Sequence, residues 1–214
     1  MNCYQLPKDV VSKIPTAIRY VLNGYSENEI CIAGGACLAL FNKMNNSISQ
    51  TNNANTEFGD WDIFCSSSAM FDKICREIDI YYSGDEHGYN IHVSERATSF
   101  TFKRGDDCRI QVIRPYDFEQ IASTFYEHVI SNFDFTICQV IIAKENNEYR
   151  LIVSEVTLED ILEKQLRFTE NYTINYYRIY KYIKKGYRVT TDILFCMTLD
   201  IEQHDYSIPD IRLY

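Results

Sequence analysis

From Pro7 to Tyr25 apolar residues recur every third or fourth position, at Val10, Val11, Ile14, Ile18, Val21 and Leu22, with Lys8, Asp9, Ser12 and Lys13 between them. That spacing predicts an amphipathic helix. In "EICIAGGACLALFN" a short apolar run breaks at Gly34 and Gly35 and resumes in helical spacing through Cys37, Leu38 and Phe41, which predicts strand, glycine turn and helix. The stretch from Asn42 to Thr56 is polar, aperiodic and rich in Asn and Ser, so an exposed loop is expected there. "FGDWDIFCSS" follows as a strand, then a helix from about Ala69 to Ile78. "ATSFTFKRGDDCRIQVIRP" alternates on either side of Gly105, a hairpin pattern. Glu119 to Ile130, with Ile121, Phe125 and Val129 on one face, predicts a helix. "FDFTICQVIIAK" and "EYRLIVSEV" predict strands joined by the turn "ENNE", and Leu158 to Leu199 reads mostly as helix. The expected fold class is α+β, a small mixed sheet flanked by helices over residues 1–155, followed by a short helical region over 156–214.

A chain of 214 residues, 46% hydrophobic, is long enough to bury one sizeable core. No apolar run approaches the roughly 20 residues that span a bilayer, and "MNCYQLPKDVVSK" lacks the order of a signal peptide, so a soluble cytoplasmic protein without membrane contact is expected. The eight cysteines fall singly beside Ile, Phe or Ala and read as small buried apolar residues. With no CxxC and four ungrouped histidines, ligand spacing points away from zinc. A formal charge of −9 opposes non-specific adhesion to nucleic acid, so any such contact must be local. The one concentrated basic stretch runs from Arg167 to Arg188, where Tyr176, Tyr180 and Ile183 share a helix face and Arg178, Lys181 and Lys185 share another. Those cations are either solvated above a packed apolar face or bind phosphate, with one or two tyrosines stacking on bases.

The chemistry concentrates in "GDWD". Side chains alternate along a strand, so Asp60 and Asp62 leave the same face about 7 Å apart and repel unless a cation lies between them. Mg²⁺ suits such a pair, since it takes hard oxygen ligands and leaves positions for substrate phosphates. The plainer alternative is a DxD on the wet face of a half-exposed strand. Gly34 and Gly35 add backbone amides at a helix start where a triphosphate could approach closely, although a tight structural turn also explains two glycines.

Together, "AGGACLALF" and "DWDIF" resemble the signature of the DNA polymerase β-like nucleotidyltransferase superfamily. "FDFTICQVII" is similar to the "RRDFTINA" segment of CCA-adding tRNA nucleotidyltransferases and bacterial poly(A) polymerases. "RIYKYIKKGYRV" is similar to their basic "LRAIRFAARLGF" helix. The three segments stand in the family's order. The resemblance implies the nucleotidyltransferase fold, with Mg²⁺ (or Mn²⁺) held by Asp60 and Asp62 and the phosphates of a nucleoside triphosphate held at Gly34 and Gly35. It also implies a site role for Asp134, which could instead cap a turn, and nucleotide or acceptor contacts from Arg178, Lys181 and Lys185. The expected activity is transfer of a nucleoside monophosphate to an acceptor hydroxyl, an RNA or tRNA 3′ end in the first place, with a protein side chain or a small molecule as the alternative acceptors.

The departures from that pattern are specific. Cys37, Leu38 and Ala39 replace the arginine and aspartate of "GGxVRD", removing a cation expected near phosphate. Gln111 stands where the superfamily places a third carboxylate, so the site runs on two carboxylates, or another acid such as Asp107 or Asp134 contributes, or catalysis is lost; the first arginine of "RRDFTIN" is likewise missing, with Asn132 and Phe133 in its place. Because the sequence ends at Tyr214, soon after Val189, a complete CCA-adding enzyme is not expected. Two alternatives stay open: a nucleotidyltransferase-like module that binds nucleotide, RNA or protein without catalysis, and a toxin-like regulator of tRNA.

Overall fold

The computed structural model describes residues 1–49, 59–84, 88–102, 109–115 and 124–203. Strand β1 (Asn2–Gln5) leads into α1 (Lys8–Val11) and α2 (Thr16–Gly24), so the single helix expected from Pro7 to Tyr25 is in fact two. Pro15 divides them: it stands at the N-cap of α2, where its missing N–H costs nothing, and its ring disfavours helical backbone at Ile14. The apolar spacing survives the break, since Val10, Ile14, Ile18, Val21 and Leu22 are all buried.

After β2 (Ile30–Ala33) the chain turns at Gly34 and enters α3 (Gly35–Ser49). The loop expected from Asn42 is therefore helical as far as Ser49, and residues 50–56 lie outside the described residues. Asn42 is held there by side-chain partners in the chain's last third. Its Nδ2 donates to Tyr187 Oη at 3.2 Å and its Oδ1 accepts from Lys164 Nζ at 2.9 Å. Next come β3 (Trp61–Cys65), α4 (Ser68–Tyr82), β4 (Tyr89–Val93), β5 (Ala97–Phe102) and β6 (Arg109–Ile113). Ser67 caps α4 by accepting from the Met70 N–H, and the helix runs one turn beyond the expected end. β5 and β6 form the expected antiparallel hairpin, while Gly105 and Asp107 lie outside the described residues.

Helix α5 (Phe125–Ser131) starts later than the expected Glu119, behind a capping box of Thr124 and Glu127; residues 119–123 are not described. The strand expected from Phe133 begins only with β7 (Ile141–Glu145). Ahead of it, the segment is drawn toward the chain's last third: Thr136 N–H donates to Arg167 O, Thr169 N–H donates to Asp134 O, and Thr136–Cys138 closes one 3₁₀ turn. β8 (Glu148–Val153) returns from β7 through Asn146 and Asn147, both with positive φ (49° and 64°), the backbone of a tight hairpin turn. The last third comprises α6 (Glu155–Leu162), α7 (Tyr176–Lys184) and α8 (Thr191–Gln203), with the short strands β9 (Gln165–Leu166) and β10 (Arg188–Val189) pairing in parallel between them.

Among the described residues the main sheet runs β1-β8-β7-β2-β3-β6-β5-β4, antiparallel except at β3–β6. Alternation decides its two faces. Ile30, Ile32, Trp61, Ile63 and Cys65 point into the large core beneath α1 to α4. Cys31, Ala33 and Phe64 point the other way, into a smaller cluster covered by α5. Asp60 and Asp62 belong to that second face, beyond its apolar part. Among the described cysteines Cys31, Cys37, Cys65 and Cys138 are buried as expected, but Cys3 is exposed on edge strand β1.

Candidate active site

Strand β3 carries Asp62, with Asp60 immediately ahead of it, on the face that does not pack: Trp61 and Ile63 are almost fully buried, which commits their neighbours to the opposite side. The register sets Asp62 beside Ala33 of β2 on one side and Gln111 of β6 on the other. Gln111 in turn lies opposite Ser99 of β5, and its Nε2 donates to Ser99 Oγ at 3.0 Å. At the expected third-carboxylate position the side chain is thus tied to the next strand.

The two aspartates sit in different surroundings. Asp60 is half-exposed and gripped by Arg109, whose Nε donates to Oδ1 at 2.7 Å and whose Nη2 donates to Oδ2, a bidentate pair. Asp62 Oδ1 is sealed from solvent with no hydrogen-bond partner. Burial, and then the charge of Asp60, push the Asp62 carboxyl up to about 7, against the opposing pull of Arg178, Arg109 and Lys181. An unpartnered buried carboxylate is costly, and a cation would relieve it.

Gly34 borders this acid. Its φ of +91° favours glycine, and a Cβ there would lie 3.1 Å from Phe133 Cε1 and 3.5 Å from Asp62 Oδ2. Gly35 opens α3, and a Cβ on it would reach Tyr182 Oη at 4.0 Å. The glycine turn, the α3 start and Asp62 are therefore neighbours.

Helix α7 supplies the cations. Asn175 caps it by accepting from the Arg178 N–H at 3.1 Å, and Ile179 and Tyr182 anchor its buried face. Arg178 Nη2 stands 2.9 Å from Asp134 Oδ1, close enough for an ion pair but not aligned for a hydrogen bond. Burial raises the Asp134 carboxyl while Arg178 pulls it down. For Arg178, burial opposes the charge but Asp134 and its neighbours outweigh it, so the guanidinium is held charged. Tyr182 Oη and Cys138 Sγ are 2.9 Å apart below this pair, and burial pushes the Cys138 thiol up to about 11. Lys181 is exposed with its charge acting on Asp62, whereas Lys185 Nζ lies 5.8 Å from the Tyr182 ring centroid.

The structure thus gathers Gly34, Gly35, Asp60 and Asp62 with Arg178 and Lys181, sets Asp134 behind Arg178, and turns Lys185 toward Tyr182. The structure adds Arg109, Phe133, Tyr182 and the Gln111–Ser99 bond to the surroundings of these residues, none of them among the sequence-predicted site residues. Arg109 had a signal: it stands two residues before Gln111 on an alternating strand, so it shares the face of the acids.

Over residues 8–164 the sequence matches the family model for Gabija anti-defense 2 family protein. The chain belongs to the Gabija anti-defense 2 family. No curated protein sequence matches this family member. Solved structures of CCA-adding enzymes share its fold. The Thermotoga maritima enzyme complexed with tRNA aligns with a TM-score of 0.60 at 15% identity, over 95% of this chain and 47% of that one. CCA-adding enzyme in complex with ATP gives 0.60 at 15%, over 95% and 47%, and in complex with CTP 0.59 at 15%, over 95% and 46%. The chain spans about half the length of these enzymes, and the likeness establishes the nucleotidyltransferase fold.

Proposed function

We propose that this family member is an Mg²⁺-dependent nucleotidyltransferase that moves a nucleoside monophosphate from a triphosphate to an acceptor hydroxyl, releasing pyrophosphate, and that its anti-defense role runs through that site. The carrying observation is the buried, unpartnered Asp62 Oδ1 beside Gly34 at the start of α3, within the field of Arg178 and Lys181. A carboxylate sealed without a partner fits a divalent cation, and the missing side chain at Gly34 lets Phe133 and Asp62 close up against the turn. Asp62 and Asp60 would hold the metal, which supplies charge neutralisation at phosphate oxygens and activation of the acceptor hydroxyl. The start of α3 would face the phosphates with backbone amides, while Arg178 and Lys181 add positive charge on the side facing Asp62. Asp134 holds Arg178 in place and is a positioning residue in this reading. An RNA 3′ end suits the exposed Tyr177 and Tyr180, beside Lys181 and Lys184 on the same helix.

A second reading, a binding module without catalysis, draws on one observation: Gln111, at the expected third-carboxylate position, is bonded to Ser99. Incubation with each labelled triphosphate, Mg²⁺ and an RNA pool separates the two. Transfer that disappears in the Asp60→Ala, Asp62→Ala double variant supports the enzyme. Transfer that persists in the double variant refutes this site as its source, and tight Mg²⁺-dependent ATP binding without transfer supports the module.

A further inference from the structure

Arg109 stands on the acid that a metal would need. Its guanidinium grips both oxygens of Asp60, yet both side chains are close to half-exposed, at 46% and 38%, so water competes with the pair and it opens readily. The residues after the glycine turn offer no cation, because Cys37 and Leu38 are buried in the core and Ala39 carries no charge. Arg178 is committed to Asp134. Among the described residues, Arg109 is therefore the guanidinium at this site that can change partners without leaving a buried acid unpaired. Its fork matches two phosphate oxygens as well as it matches a carboxylate.

We propose that Arg109 is a two-position residue: it holds Asp60 as a built-in counterion while the site lacks metal, and on arrival of the metal–triphosphate it releases Asp60 and takes phosphate oxygens. It thereby supplies the cation missing after the glycine turn. The proposal rests on the nucleotidyltransferase reading above, and it makes Arg109 a brake on metal binding and a contact for nucleotide.

The test uses the full chain and two probes, Mn²⁺ alone, followed by electron paramagnetic resonance of the free ion, and ATP in the presence of saturating Mn²⁺, followed by calorimetry. Arg109→Gln removes both the competing pair and a repelling charge, so Mn²⁺ alone should bind about fivefold more tightly or better. ATP should bind about tenfold more weakly, through loss of a charge-assisted contact. Arg109→Lys, with the charge but not the fork, should loosen the brake and keep an ATP affinity between those of the wild type and Arg109→Gln. A merely structural role would move both affinities the same way, and a urea melt of each variant checks that the fold is unchanged. Unchanged Mn²⁺ affinity in Arg109→Gln, with binding that still depends on Asp62, overturns the Arg109 proposal alone. Mn²⁺ binding indifferent to Asp62→Asn overturns the metal site itself, and with it the function proposed above.

Discussion

Replacing Asp62 with Asn should stabilise the protein. In the folded chain burial and Asp60 hold the Asp62 carboxyl at about 7 against an ordinary 3.8, so the folded state binds this proton more tightly than the unfolded state. Folding stability is then lost as pH rises from about 4 to about 7, the reverse of an acid stabilised by a partner. A rise from 3.8 to about 7 amounts to about 4 kcal/mol, at about 1.36 kcal/mol for each tenfold change in proton affinity. Oδ1 is sealed, but the residue as a whole keeps partial exposure, so we take about half, or about 2 kcal/mol, as the expected gain for Asp62→Asn at pH 8. By pH 4 the gain should shrink to a few tenths of a kcal/mol. Urea unfolding of both proteins in EDTA at pH 8 and pH 4 measures it, and Mg²⁺ added at pH 8 should raise the wild-type midpoint while leaving Asp62→Asn unmoved. A variant destabilised at pH 8, or shifted equally at both pH values, would refute the reasoning, because a site kept for function at a cost in stability predicts neither.

Three further outcomes follow from the geometry. Gly34→Ala meets a φ of +91° and Phe133 Cε1 at 3.1 Å, so it should cost about 2 kcal/mol and lower Tm by about 5 °C, read by thermal melting. Asp160→Ala leaves the buried Thr136 hydroxyl and the Arg167 guanidinium without the carboxylate that accepts from them at 2.6 and 3.1 Å; the cost should be about 3 kcal/mol, read from the urea midpoint. Asn175→Ala removes the α7 cap for about 1 kcal/mol, and hydrogen exchange should quicken in the first turn of α7 while β3 and β7 stay protected.

Much of this fold is legible in period alone. Val10 through Leu22, the β5–β6 hairpin and the β7–β8 turn are encoded locally, in apolar spacing and in two consecutive asparagines. The misreadings arise where tertiary contacts outvote local composition. Asn42 looks like loop until Tyr187 and Lys164 hold it, from far along the chain. Phe133 to Cys138 looks like strand until its backbone bonds to Arg167 and Thr169, and a 3₁₀ turn closes over Thr136–Cys138. Nothing within a few residues of either segment carries that information.

The site divides along the same line. That Asp60 and Asp62 share a face follows from a period of two and needs no partner, but their difference in environment does not. Asp60 and Asp62 are the same residue type in the same strand stretch, yet one is clasped by an arginine two strands' worth of sequence away and the other is sealed against a glycine turn. The distinction is set by cross-strand register, which pairs Asp62 with Gln111 and brings Arg109 level with Asp60. Gln111 alone reads as the loss of a ligand. Beside Arg109 it reads differently: an amide bonded to Ser99 adds no charge, so one arginine suffices to balance the exposed acid. Burial first and the charge of Asp60 second already push Asp62 up; a third carboxylate there would add repulsion that a single guanidinium does not offset without the metal. Gln111 and Arg109 together thus let the chain fold with its acids in place before any cation arrives.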